Sequence, residues 1–273
     1  MNKVACAPQV GSDMEVFLAN DGGDVVPCVG LFEGTKNKPW RPPGMGLGYA
    51  IQEDNVMCEF NVPPVKSAID GLNVMLRGRR MVEKQAALHG LHPIWGQTDY
   101  RFPKAALTSE QAQTIGCEAD YNAYEGGAAR NNLPDLTDWR SCGGHIHLGG
   151  DFKCPDFVAA LFAELFISVG TKTPCGNGHR AKWYGRPGIY RPKPYGIEYR
   201  TPTNVWVQSE DVIHLTYHQA LMCANYLTRT DALTLQATFR SFPWVKLHEY
   251  MVNGNPYLRE ELVVAAHQKG ITL

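Results

Sequence analysis

The sequence has no apolar run long enough to cross a bilayer. Its most apolar stretch, Phe157 to Val169, is short and carries Glu164, whereas a spanning helix needs about 20 apolar residues. The N-terminus, MNKVACAPQVGSDMEVF, has no apolar core of the kind a signal peptide carries. Charge of one sign is missing as well. The 26 Lys and Arg stand against 27 Asp and Glu, a net charge of -1, so a basic surface for nucleic acid is not indicated. Eight cysteines, at positions 6, 28, 58, 117, 142, 154, 175 and 223, include no CxxC pair. That argues against a cysteine zinc site and for free thiols packed as small apolar groups. There is no GxxxxGK[ST] phosphate loop, no GxSxG elbow, no internal repeat and no low-complexity tract.

What is present is the composition of a folded, soluble, intracellular protein. Of 273 residues, 44% are hydrophobic and 19% charged, enough to build a substantial core. Ser12 to Leu18 alternates and reads as a strand. AsnAspGlyGlyAsp then marks a turn, and Val25 to Phe32 reads as the return strand. Residues 33–49 read as a Gly/Pro-rich loop, and GlyMetGlyLeuGly within it has no flanking strand and helix to make a dinucleotide fingerprint. Asn55 to Asn61 is a second alternating strand. Pro63-Pro64 looks like a helix start, with apolar residues at helical spacing from Val65 to Leu88. Residues 97–140 read as loops with short elements, 142–148 as a strand, 155–169 as a helix, 171–194 as irregular and 195–201 as a strand. Further helices begin at Ser209 and Pro256. Strands and helices are segregated, which favours an α+β architecture over a doubly wound one.

Residues i and i+2 of a strand share a face. That rule pairs Asp13 with Glu15, Glu59 with Asn61, His145 with His147, and Glu198 with Arg200, each opposite apolar residues. If the four strands form one sheet, one side packs on helices and the other gathers carboxylates, imidazoles and an arginine. Clustered carboxylates repel unless a cation neutralises them. Oxygen ligands with few imidazoles suit Mg²⁺ or Mn²⁺. The glycines around His145 and His147 allow close approach of a ligand to the backbone.

A second feature is RAKWYGRPGIYRPKPYGIEYR, residues 180–200, with Arg180, Lys182, Arg186, Arg191, Lys193 and Arg200 among glycines, prolines and tyrosines. Such cations near a carboxylate site hold phosphate oxygens. Bases of nucleic acid stacked on the tyrosines, and a simple solvated loop, are the other readings. His214 and His218 have metal-ligand spacing on a helix but lack the glutamate of a metalloprotease motif, and read as surface or core histidines.

GSDMEVFL, CEFNVPP, GGHIHLGG and RPGIYRPKPYGIEYRTPTNVW, in this order and spacing, resemble the phage-type carboxylate–amine (COOH.NH2) ligases. These are amidoligases related to glutamate–cysteine ligase and, more distantly, to glutamine synthetase. The resemblance spans about residues 11–206. It implies an α+β catalytic fold over residues 1–273, with a curved antiparallel sheet, helices packed on one face, and C-terminal helices from about 209. It implies ATP and Mg²⁺ (Mn²⁺ as a substitute) as cofactors, and an amide formed through an acyl phosphate with release of ADP and phosphate. Carried over by position, Glu15, Glu59 and Glu198 hold metal. Asp13 is a ligand or a neighbour of one, and His145 or His147 contacts metal or phosphate, His147 being preferred. Arg200, Arg191 and Arg186 hold phosphates or the substrate carboxylate, Lys182 and His145 lie on the nucleotide side, and Asn61 orients a neighbour. The chain is shorter than glutamate–cysteine ligase and shows no matching cysteine pocket. The carboxylate and amine partners are therefore not inherited, and each is a small molecule, a peptide or a modified macromolecule. The expected location is the cytoplasm, that of the host cell if the protein is phage-encoded. The competing functions are a metal-dependent hydrolase or nuclease, and a non-catalytic nucleotide-binding protein on a ligase fold.

Overall fold

The computed structural model describes residues 4, 6–113, 120–130, 138–176 and 178–273. Cys117 and part of the segment 97–140 read as loops lie outside the described residues.

The sheet is organised by one long strand, β1 (Gln9–Asn20), which pairs along both edges. β2 (Val25–Val26), β3 (Ala50–Asp54), β4 (Met57–Val65), β5 (Leu91–Ile94), β6 (Asp99–Arg101), β7 (Asp120–Asn122), β8 (Ala128–Arg130), β9 (Trp139–Ser141), β10 (Gly144–Gly149), β11 (Ile189–Lys193) and β12 (Gly196–Tyr199) follow in sequence. The main sheet runs β3-β4-β1-β10-β12-β11-β7-β8, and the far half of β1 also pairs with β2 and β5; β6 and β9 make a separate pair. Every named pairing is antiparallel.

The helices are α1 (Ala68–Ala87), α2 (Glu110–Gln113), α3 (Asp156–Ala163, continued as a π-helical turn Glu164–Val169), α4 (His179–Trp183), α5 (Glu210–Arg229), α6 (Ala232–Ser241), α7 (Trp244–Asn253) and α8 (Pro256–His267). Those of α1, α3 and α5 touch the sheet. They share one core with Met14, Val16, Phe60, Ile146, Leu148, Ile197 and Tyr199 from the apolar side of the strands. Among the described residues no helix is long and apolar enough to cross a membrane. No disulfide links the seven described cysteines, and four of them are buried. His214 and His218 are exposed on α5, as read.

Several elements depart from the sequence reading. Pro63-Pro64 does not open a helix: both residues end β4, where the pairing with β1 is irregular between Val10 and Ser12. The β3 pairing stops at Ala50 with Asn61, so prolines beyond it deprive no neighbour of a donor. The helix starts instead at Ser67, whose hydroxyl accepts from the Asp70 amide, a local cap of the Ser-x-x-acid type. The return strand after the turn is two residues long, not eight. β3, β11, α6 and α7 were not read as elements.

Two close approaches fix how the helices sit. Gly71 of α1 faces the ring of Tyr217 on α5, and a Cβ there would lie 2.2 Å from the ring. Gly71→Ala is therefore expected to destabilise by about 1–3 kcal/mol through overpacking, despite the better helix propensity of alanine. A shift of the urea midpoint to higher concentration would show the propensity term winning instead. Glu164, buried in the π-helical turn, accepts from the Gly188 amide (2.8 Å), Tyr199 hydroxyl (3.2 Å) and Tyr124 hydroxyl (2.5 Å). It ties the helix to the start of β11 and to β12. Burial pushes its carboxyl up to about 7, against the pull of those donors.

Candidate functional site

The register of the sheet brings the four polar rows together on the face away from the helices. Glu15 lies opposite Glu59, and Asp13 lies between Asn61 on one side and His145 on the other. His147 lies opposite Glu198, and Glu198 opposite Arg191. β3 adds a fifth row, with Gln52 paired to Glu59 and Asp54 paired to Met57.

Two groups of acids result. In the first, Glu15, Asp54 and Glu59 each place a carboxylate oxygen within 4.8 Å of the others. Asp54 pairs with exposed Lys36 at 3.1 Å, while Glu15 and Glu59 make no ion pair among the described residues. Glu15 accepts from the Gly143 amide (2.5 Å) and the Tyr184 hydroxyl (3.1 Å). Burial, and then the charges of Asp13, Glu15 and Asp54, push the Glu59 carboxyl well above the usual range. The second group is Asp13, His147 and Glu198. Asp13 meets His147 Nε2 at 3.1 Å and His145 Nδ1 at 3.2 Å. Burial raises the Asp13 carboxyl, but the two imidazoles outweigh it and hold it well below its ordinary value. Burial lowers the His147 imidazolium and Asp13 outweighs that, so its pKa is raised.

Glu198 is the hub of the basic side. It contacts Arg200, Lys193 Nζ (2.6 Å), Arg191 Nη1 (3.9 Å) and His145 Nδ1 (3.8 Å). Burial opposes its ionisation, yet Arg200 and the histidines hold its carboxyl far below normal. Arg200 also meets Asp120 at 3.2 Å and donates to the Tyr184 hydroxyl at 2.5 Å. Arg191 meets Asp120 at 2.8 Å. Arg180 is fully buried and donates to the carbonyls of Thr201 (2.7 Å) and Arg200 (2.9 Å), so it supports the backbone under Arg200 rather than facing a ligand.

Of the residues singled out in sequence, Asp13, Glu15, Glu59, His145, His147, Arg191, Glu198 and Arg200 converge. Lys182 is exposed on α4 and forms no ion pair among the described residues. Arg186 is half-buried, and its carbonyl accepts from the Thr201 hydroxyl at 2.9 Å. Asp54, Asp120 and Tyr184 were missed. Asp54 ends β3 beside Asn55, whose φ of 58° makes the tight turn into β4; an Asp-Asn pair before an alternating run is the available signal. Tyr184 joins the two halves, donating to Glu15 and accepting from Arg200. Tyr184→Phe removes a hydrogen bond to each of two charged groups, at roughly 1.5–3 kcal/mol apiece. The melting temperature is therefore expected to fall by several degrees; an unchanged value would show that the Tyr184 hydroxyl adds nothing beyond packing.

The donor set fits hard divalent cations. The two groups together offer five carboxylates and one imidazole, and neither Glu15 nor Glu59 forms an ion pair among the described residues. Asp13 Oδ1 and Asn61 Oδ1 are buried without an aligned hydrogen bond.

The sequence model of the family described as phage phiEco32-like COOH.NH2 ligase-type 2 matches residues 137–246. That is the family the motifs resemble, and the matched span holds β10, the basic segment and the start of the C-terminal helices. It stops short of Asp13, Glu15, Asp54 and Glu59. No curated protein matches the chain in sequence. Among solved structures, a glutamine synthetase of Plasmodium falciparum is similar over 80% of this chain and 50% of its own, at 8% identity and a TM-score of 0.35.

Proposed function

We propose that the protein is an ATP-dependent carboxylate–amine ligase, residues 1–273 forming one glutamine synthetase-like catalytic unit. It activates a carboxylate as an acyl phosphate, passes the acyl group to an amine, and releases ADP and phosphate. The observation that supports this most strongly is the adjacency of two acidic groups to a strip of cations, Arg191, Lys193 and Arg200, on one sheet face. A hydrolase of uncharged substrates has no need of the cation strip, and a nuclease is separated from the ligase by the nucleotide titration below.

Glu15, Asp54 and Glu59 would hold one Mg²⁺ or Mn²⁺, and Asp13, His147 and Glu198 another. A bound divalent cation supplies charge that lets two anions meet and that stabilises the transferred phosphoryl group. The chain's own residues do the rest. Arg200 and Arg191 are oriented by Asp120 and Glu198, which aims their remaining N–H groups at phosphate oxygens. Lys193, paired with Glu198 at 2.6 Å, adds a point charge beside them. Tyr184 holds Arg200 and Glu15 at fixed separation. His145 is seated against Gly143, where a Cβ would lie 2.2 Å from its Nε2, so the imidazole cannot swing away from Asp13.

Calorimetric titration of ATP tests the reading. Binding in Mg²⁺ and none in EDTA is expected; no binding in either condition would overturn it.

A further inference from the structure

One buried carboxyl lies on the helix side of the sheet, away from both acidic groups. Glu164 is fully buried in an otherwise apolar stretch and forms no ion pair among the described residues. A carboxyl in such surroundings is costly unless its hydrogen bonds repay it. It also opens the π-helical turn, and such turns are rare and recur at functional sites.

Its three hydrogen bonds reach three strands. The Gly188 amide (2.8 Å) precedes β11, the Tyr199 hydroxyl (3.2 Å) comes from β12, and the Tyr124 hydroxyl (2.5 Å) comes from just past β7. All three are donors. Gly188 has a φ of 74°, and a Cβ there would lie 2.7 Å from the Tyr124 ring, so this turn needs glycine. Tyr199 stands between Glu198 and Arg200, and neighbours along a strand face opposite sides. Its hydroxyl therefore meets Glu164 in the core while Glu198 and Arg200 face the site.

β7 carries Asp120 and β11 carries Arg191. Asp120 Oδ1 meets Nε of Arg191 at 2.8 Å and Nε of Arg200 at 3.2 Å. These contacts depend on how the three strands are offset, yet β7 and β11 pair only at Ile189 with Asn122 and at Tyr190 with Tyr121. A ladder that short gains from a side-chain tie.

We propose that Glu164 is a positioning residue: from the helix side it fixes the offset of β7, β11 and β12, and with it the placement of Asp120, Arg191 and Arg200 on the opposite face. That these arginines serve phosphate rests on the ligase reading; the tie itself does not. Glutamine at this position keeps Oε1 for Gly188 and Tyr199, and its amide donates to the Tyr124 hydroxyl, whose oxygen turns acceptor. With the Glu164 carboxyl pushed up to about 7 by burial, glutamine also resembles its neutral form. Leucine has similar bulk but no acceptor, and leaves the Gly188 amide without its partner.

The test is ¹H–¹⁵N NMR of the arginine Nε–H groups in the full, ligand-free chain, with two signals assigned from Arg191→Lys and Arg200→Lys. Glu164→Leu is expected to shift both signals, and Glu164→Gln to leave them where the unaltered protein has them. Met75→Ala, a cavity on α1 away from these strands, controls for lost stability alone and is expected to move neither. If Glu164→Leu does not fold, Tyr124→Phe cuts the tie to β7 only and is expected to shift the Arg191 signal. In titrations with ATP and Mg²⁺, Glu164→Leu is expected to bind about tenfold more weakly and Glu164→Gln within about twofold, because small misplacements of positioned groups are costly. Arginine signals unmoved by Glu164→Leu or by Tyr124→Phe, moved as far by Met75→Ala, or not preserved in Glu164→Gln overturn the inference. If the signals move as expected while the unaltered protein binds no ATP, the ligase reading falls and the positioning role stands.

Discussion

On the proposed ligase reading, Glu198→Gln is expected to lower thermal stability and to abolish Mg²⁺-dependent nucleotide binding together. Glu198 is almost fully buried and faces Arg200, Lys193, Arg191 and His145. Glutamine keeps the shape and removes the charge, leaving those cations under-compensated. Breaking a buried ion pair from one side costs about 3–5 kcal/mol, which corresponds to a fall in Tm on the order of 10 °C for a chain this long. The pH dependence has a fixed sign. The folded carboxyl titrates below its unfolded value, so its contribution is complete above the unfolded pKa, about 4.3, and is lost as pH falls toward the folded one. The Tm gap between the variant and the unaltered protein is therefore constant near neutrality and closes in acid. A gap that widens in acid would mean that Glu198 is not held ionised by Arg200.

Glu59→Gln does the opposite to the metal-free protein. Burial and three neighbouring carboxylates make its ionised form costly. With the folded pKa raised, stability declines as pH rises from about 4.3 toward that raised value, as the unfolded chain ionises and the folded one resists. Glutamine removes this loss, so in EDTA at neutral pH the variant melts higher than the unaltered protein, and the two converge in acid. In saturating Mg²⁺ the order reverses. A cation at a hundredfold above its Kd contributes about 2.7 kcal/mol to the unaltered protein, and the variant gains little of it. Scanning calorimetry in EDTA and in Mg²⁺ separates the two terms. A variant that melts lower in EDTA, or still responds fully to Mg²⁺, would remove Glu59 from the metal group. On the proposed reading, charges that destabilise the empty fold would be retained for the cation they hold, a common arrangement at functional sites.

Much of this face was legible before any coordinates, because side-chain direction in a strand has a period of two. Asp13 with Glu15 and His145 with His147 needed only that rule. Their adjacency did not follow from it, since local alternation says nothing about which strands pair. What stayed hidden has physical causes. Pro192 and Pro194 disguise β11 as loop, but its pairing with β7 ends at Tyr190, so Pro192 withholds no donor from that side. Tyr184 went unseen with it, because a tyrosine in an irregular segment carries no periodic signal. Asp54 was lost because a five-residue strand behind a Gly/Pro-rich loop offers too short a run to show alternation. Ser67 and Asp70 marked the true start of α1, but the prolines before them drew the boundary three residues early.

The most direct measurement is a crystal structure with Mn²⁺ and a non-hydrolysable ATP analogue, with the ions located by anomalous scattering. The account predicts manganese peaks among Glu15, Asp54 and Glu59 and among Asp13, His147 and Glu198, with the triphosphate against Arg191, Lys193 and Arg200. Ions absent from both groups, or a nucleotide seated elsewhere on the molecule, would contradict it.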